Sequence, residues 1–297
     1  MKLLTNFEHF INTEEMNLDV CWDQQFSLIN LKGEGARKFL NGQTSVDVIS
    51  RKDGEIFLGC WLSTNGGVRA LLEIKLYVGG AFCIVIGGDH GVVKSAFENV
   101  IFPSDNVTLE KERSIRRMQL LSSKSPELIN KIIWIDSMSQ APHPFHSFTK
   151  ADEFYLESWR IKNSLPIGLN EINDKNNPFE LGLSSIINLD KGCYLGQEAM
   201  ARFSRLGDSR KQLMFWESDD PISENEKLFV LTKDQEVVNS IGIITSSLQL
   251  SESGKSIGLA IVKRSKSPIN KLYVNSPKRC ISMYNQEPCF DKWTEFD

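Results

Sequence analysis

The sequence predicts an α+β protein. A body of mixed and antiparallel sheets with helices spans residues 1–205, as two interleaved subdomains, and a small β-barrel spans 206–297. Three observations carry this. Strand-like and helix-like patterns alternate through the first two thirds without a Gly-rich phosphate loop, which argues against a dinucleotide-binding fold. Asn65-Gly66-Gly67 and Gly79-Gly80 separate three apolar runs, the pattern of a meander. After Gly207, five short apolar runs with polar turns between them crowd into about 65 residues, the spacing of a small barrel.

In order, FSLINL at 26–31 reads as a strand and EGARKFLN at 34–41 as a helix. A helix ending near Gly42, and another opening with Thr44 as N-cap and Asp47 in its first turn, account for NGQTSVDV. Thr44 and Asp47 alternatively face a ligand. IFLGCWLS, VRALLEIKLYV and AFCIVIGG form the meander, with Arg69 on its second strand. Asp89–Asn99 reads as a helix with apolar positions at 92, 93, 96, 97 and 100. VTLEKE and SIRRMQLLS follow as strands, and PELINKII at 126–133 as a short helix. Residues 136–151 are loop-like. A helix opens at Asp152 and stops before Leu165-Pro166, because the residue preceding a proline disfavours helix. The barrel strands are placed at 213–216, 228–231, 241–245, 257–262 and 271–274.

Among 297 residues, 41% are hydrophobic and 24% charged, the balance of a globular protein able to bury a sizeable core. A net charge of −4 excludes a global bias toward nucleic acid or anionic membrane. No apolar run approaches the roughly 20 residues of a spanning helix. The acidic start lacks a signal-peptide or transit pattern, so a cytoplasmic location is expected. The six cysteines (21, 60, 83, 193, 280, 289) contain no CxxC pair, which points to reduced thiols and not to a disulfide framework or structural zinc. His143 and His146 sit in APHPFHSF, where two prolines make a loop the simpler account than a metal site. Five tryptophans (22, 61, 134, 159 and 216) read first as core.

Chemistry concentrates in KGCYLGQEAMARFSRLG, residues 191–207. It places Lys191, Cys193, Tyr194, Gln197, Glu198, Arg202 and Arg205 on one short stretch, with Gly192 and Gly196 able to take unusual backbone or approach a ligand. EAMARFSR reads as a helix whose first amides favour a nearby thiolate or carboxylate, and Lys191 would favour the Cys193 thiolate further. The bland reading is a tight turn into a helix with a buried Cys.

K-G-C-Y-x-G-Q-E resembles the signature of the YgfZ-type folate-binding proteins, relatives of the glycine-cleavage T-protein and of a mitochondrial iron–sulfur assembly branch, and Lys191–Glu198 matches it throughout. Leu40–Val48 is similar to a second segment of that family, L-x-G-Q-x-T-x-D-V. WRIKNSLPIG is similar to a third, R-I-E-x-G-x-P, with two departures. Lys162 stands where a pterin-binding Glu is usual, and Ser164 where Gly is usual. An ammonium cannot accept from the pterin donors. Pro178-Phe179-Glu180 resembles the family's P-x-E, which makes Glu180 a substitute acceptor.

The resemblance implies a T-protein-like body with a C-terminal barrel. It implies a protein that binds tetrahydrofolate or a derivative and supports iron–sulfur cluster assembly or repair, including for radical enzymes that modify tRNA. Its partners would be assembly proteins or client enzymes, with no direct nucleic acid and no membrane. Lys191 would lie near the folate glutamyl carboxylates, Tyr194 or Trp159 would stack, and Thr44, Glu180, Gln197, Glu198 and Arg202 complete the binding set. Cys193 would be a redox thiol or a shared, transient iron–sulfur ligand, since one thiol does not hold a cluster by itself. Two alternatives stand beside this. One is a tetrahydrofolate-dependent aminomethyl or one-carbon transferase using Asp47 or Glu198 for proton management. The other is a folate-independent Cys193 enzyme, which requires an oriented base.

Overall fold

The computed structural model describes residues 19–122, 126–205, 210–230, 240–251, 253–264, 271–286, 288, 290, 294 and 295. Leu231, Gly207 and Cys289 of the sequence reading lie outside them.

β1 (Val20–Lys32) organises the body. Its first part, Val20–Leu28, pairs with one set of strands and its last part, Ile29–Lys32, with another, so one long strand joins the two halves of the body sheet. α1 (Ala36–Gln43) follows, then β2 (Ile56–Leu62), β3 (Val68–Tyr77) and β4 (Gly80–Gly88), the expected meander. α2 (His90–Val100) is capped by Asp89, whose Oδ1 accepts from the Val92 amide at 2.9 Å. β5 (Thr108–Leu109) and β6 (Arg113–Ser122) come next.

The expected helix at 126–133 is a 3-10 turn followed by a strand, β7 (Lys131–Asp136). Periodicity misled because Ile132, Ile133 and Ile135 are β-branched and pair with β6, which satisfies the backbone better than one isolated helical turn. β8 (Thr149–Lys150) and α3 (Glu153–Lys162) follow. α3 is capped by Asp152, and α4 (Gln197–Arg205) ends the body's helices.

The body sheet runs β15-β7-β6-β1-β4-β3-β2, with β5 and β8 also on β1 and β15 being Thr294–Glu295. α1 and α2 cover one face of the meander, packing Phe39, Leu40, Val93 and Phe97 on Leu72, Ile74 and Leu76. The other face presents Leu58, Cys60, Leu71, Ile84 and Ile86 to α3, α4 and the barrel.

The barrel is closed by β9 (Lys211–Ser218), β10 (Lys227–Phe229), β11 (Gly242–Gln249), β12 (Ser256–Lys263), β13 (Lys271–Val274) and β14 (Ser276–Tyr284). It has six strands where five were expected. β14 escaped because SPKRCISMY carries a proline and two bases directly after its first residue; its partners β13 and β9 make it a strand. Strand alternation splits the packing: Met214 and Trp216 face the barrel interior, while Leu213 and Phe215 join the body's core. No helix among the described residues is long and apolar enough to cross a membrane.

Candidate functional site

The loop before α4 is fastened to the loop after α1. Lys191 is buried, and its Nζ donates to the carbonyl oxygens of Asn41 at 2.6 Å, Thr44 at 2.6 Å and Val46 at 2.5 Å. Three acceptors match the three protons of an ammonium. Burial pushes Lys191 down to about 8, against the pull of the Asp47 carboxylate. Backbone bonds extend the seam: Asn188 donates to Ser45, and Leu195 to Gly42. Lys191 therefore holds protein carbonyls and stabilises the loop that carries Cys193.

Thr44 does not open a second helix. It ends α1, with its amide and Oγ1 both donating to the Leu40 carbonyl at 2.9 and 2.8 Å, and its residue is fully buried. Thr44 itself is extended and bridges to Trp61 at the β2 edge. Asp47 accordingly sits in a turn, where its Oδ1 accepts from the Ile49 and Ser50 amides. Burial would raise its carboxyl, but the Ser50 hydroxyl and these amides outweigh it and hold it below the usual range.

Gly196 adopts φ +84°, and a Cβ there would meet the Ser63 carbonyl oxygen at 2.7 Å. Gly66, at φ +83°, lies equally close to Met200 and Ala199 of α4. The β2–β3 turn and the signature helix therefore approach through glycine on both sides. Gly192, by contrast, has open space around it and no positive φ.

Cys193 is exposed and makes no hydrogen bond among the described residues. Among those residues no group of three or more His, Cys, Asp or Glu is placed to hold a metal. Tyr194 points the other way, into the core, with Lys191 Nζ 4.8 Å from its ring centroid. Among the described residues its buried Oη has no partner, and burial, with Cys60 beside it, pushes the phenol up to about 12.

The remaining signature residues lie on α4. Gln197 is half-buried, and its Nε2 donates to the Lys191 carbonyl at 3.4 Å. Glu198, Arg202 and Arg205 are exposed, and Arg202 stacks on Phe203. Trp159 of α3 is half-buried on the same apolar cluster as Tyr194, with Trp134 and Phe179. Glu180 is buried and exchanges hydrogen bonds with Asn177, a turn-capping arrangement that occupies one carboxylate oxygen. Lys162, at the last turn of α3, is half-buried, and its carbonyl accepts from Gln286. Ser164, at φ +53°, explains why glycine suits that position.

Two buried ionic networks were not legible in the sequence. Glu73 and Arg117 are both fully buried; the guanidinium donates from Nε and Nη2 at 2.8 Å, and Trp134 Nε1 adds a bond at 2.6 Å. Gln119 receives Arg117 Nη2, and Trp22 lies under the guanidinium. Arg116-Arg117, a plain basic pair in the sequence, thus splits: Arg116 goes to Asp23 and Arg117 to Glu73. The available signal was a single acid in the apolar run VRALLEIKLYV. In the second network Arg160 donates to Glu157, to the Leu165 carbonyl and to Ser246 Oγ, which in turn donates to Glu171, tying α3 to the barrel.

No family model matches the chain. The chain is 21% identical over 281 residues to an aminomethyltransferase of Thermoanaerobacter pseudethanolicus, covering 79% of this chain and 75% of that one. It is 25% identical over 201 residues to an uncharacterized protein of Haemophilus influenzae, covering 64% and 70%. The crystal structure of glycine cleavage system aminomethyltransferase T from Bartonella henselae superposes with a TM-score of 0.72 over 96% of this chain and 90% of that one, at 14% identity. The chain therefore has the aminomethyltransferase T fold.

Proposed function

We propose that this chain is a folate-binding accessory protein. In this reading tetrahydrofolate or a derivative binds against the aromatic cluster between sheet and barrel. Cys193 works at the surface with a cytoplasmic partner that assembles or repairs iron–sulfur clusters, clients including radical enzymes that modify tRNA. The observation that carries it is an exposed Cys193, without a hydrogen-bonded base among the described residues, on a loop pinned by a buried lysine. A nucleophilic enzyme requires an oriented base at its thiol. A thiol offered to a partner requires exposure and a fixed mount.

The residues present fit an aromatic, polar-edged ligand. The half-buried rings of Trp134 and Trp159 offer faces, and Tyr194 Oη is a buried donor in want of a partner. Folate, when bound, supplies a carrier for one-carbon units. Trp159 and Tyr194 would hold its ring, and Lys162 cannot act as the acceptor for pterin donors.

A second reading, a tetrahydrofolate-dependent aminomethyl transferase, is favoured by the name of the Thermoanaerobacter relative. It needs a carboxylate for proton management. Asp47 is engaged by two amides, and Glu198 stands exposed on α4, so this reading ranks second.

Calorimetric titration of tetrahydrofolate under reducing conditions tests the proposal. The wild type binds, Trp159→Ala weakens binding by at least about tenfold (about 1.4 kcal/mol), and Cys193→Ser leaves it unchanged. A wild type that takes up no folate overturns it.

A further inference from the structure

Arg69 of β3 is half-buried, yet among the described residues it makes no hydrogen bond and no ion pair. Asp174 lies close by, its carboxylate packed where a Cβ of Gly67 would be, and it forms no ion pair with Arg69. The guanidinium lies over a ring: its central carbon sits 4.2 Å from the ring centroid of Trp61. Trp61 is 2% exposed, and its buried Nε1 has no acceptor among the described residues. Two kinds of unused donor thus belong to one contacting pair of side chains, on the hairpin whose turn packs under α4.

A buried indole N–H ordinarily finds an acceptor, and a half-desolvated guanidinium with idle donors is costly. A guanidinium held over a ring face keeps its N–H donors available, and a planar fork of donors suits planar oxyanions. The platform is rigid: Trp61 is bridged to Thr44 and packs edge-on against Phe97, with ring centroids 6.2 Å apart. We propose that Arg69 and Trp61 form an oxyanion site that takes a carboxylate or phosphate group of a small ligand, the guanidinium edge as main donor and the indole N–H as second. The alternative is a stacked arginine that only packs. The site does not depend on folate being the ligand.

The indole N–H of Trp61 is the reporter. In the full-length, nitrogen-labelled protein its resonance is assigned by its loss in Trp61→Phe, which keeps an aromatic platform. Glutarate and inorganic phosphate are titrated in parallel. A saturable shift of this resonance is expected with one or both, and the anion that produces it identifies the carboxylate or phosphate source. Arg69→Gln, checked for a wild-type unfolding midpoint, should need at least about tenfold more anion. Should that variant fail to fold, Arg69→Lys keeps the charge without the planar fork and should weaken the response likewise. No saturable shift with either anion, or the same response without Arg69, overturns the site. Tetrahydrofolate is the third arm. Anion binding without folate binding keeps this site and removes the folate reading; folate binding with Trp61 deaf to both anions does the reverse.

Discussion

Lys191 donates from Nζ to the Thr44 carbonyl at 2.6 Å, across 147 positions of sequence. Thr44 ends α1 and Lys191 opens the signature loop, so this contact makes the mount of Cys193 a tertiary object.

Replacing that ammonium should loosen the mount. Lys191→Met leaves three carbonyls without their donor. A buried acceptor left alone costs ~1–3 kcal/mol, and part of each is recovered by water, so a loss of roughly 3 kcal/mol is expected. Urea unfolding measures it, and amide exchange over 41–46 and 188–195 should rise. A variant within about 0.5 kcal/mol of wild type would remove the clamp from the account.

Thiol chemistry should single out Cys193. Burial pushes Cys21 and Cys60 up to about 12, and Cys83 in the same direction, while Cys193 lies exposed. Brief alkylation of the native protein at neutral pH, read by mass spectrometry, should label Cys193 and spare those three. Labelling of Cys60 or Cys83 before Cys193 would contradict the packing described.

The Glu73–Arg117 pair should behave as an interdependent unit. Glu73→Ala leaves a fully buried guanidinium uncompensated and should cost about 3–5 kcal/mol. Glu73→Leu combined with Arg117→Met removes both charges and should recover much of that loss. Denaturant unfolding of the singles and the double gives the coupling, and additive losses would show that the pair does not act together.

Acid stability should depend on Asp23. The bidentate hydrogen bonds from Arg116, at 2.7 Å each, hold its carboxyl below the usual range, with burial opposing. A carboxyl depressed in the native state contributes stability above its unfolded value of about 4, and loses it as pH falls through the native value. Wild type should therefore lose stability more steeply than Asp23→Asn as pH drops below about 4. Parallel profiles in urea titrations would assign the acid sensitivity elsewhere.

Ser164→Gly should stabilise. The residue sits at φ +53°, which disfavours a side chain by about 1–2 kcal/mol, and its buried hydroxyl lacks a partner. Glycine's larger unfolded entropy returns about 0.4–1 kcal/mol of this, leaving a gain of about 1 kcal/mol. A lowered thermal midpoint would mean that Ser164 Oγ has a role in the native structure.

The sequence by itself determined the local elements and their order. Asp89 and Asp152 announced two helix starts, the glycine pairs announced the meander, and short apolar runs between polar turns announced five of the barrel strands. These signals are legible because caps, turns and period-2 patterns act between residues a few positions apart. It misplaced Thr44 and PELINKII, where a partner strand overrode local preference.

Only the tertiary structure decided what the polar residues do. Lys191 looked like a ligand for carboxylates and serves three carbonyls from another loop. Tyr194 and Cys193, adjacent in sequence, divide between core and surface. Glu73 meets Arg117 between strands from opposite halves of the body sheet, and Arg69 lies over a tryptophan with no ion-pair partner among the described residues. The physical reason is range. A hydrogen bond or ion pair is settled within a few ångströms, and which groups come that close depends on how distant segments pack.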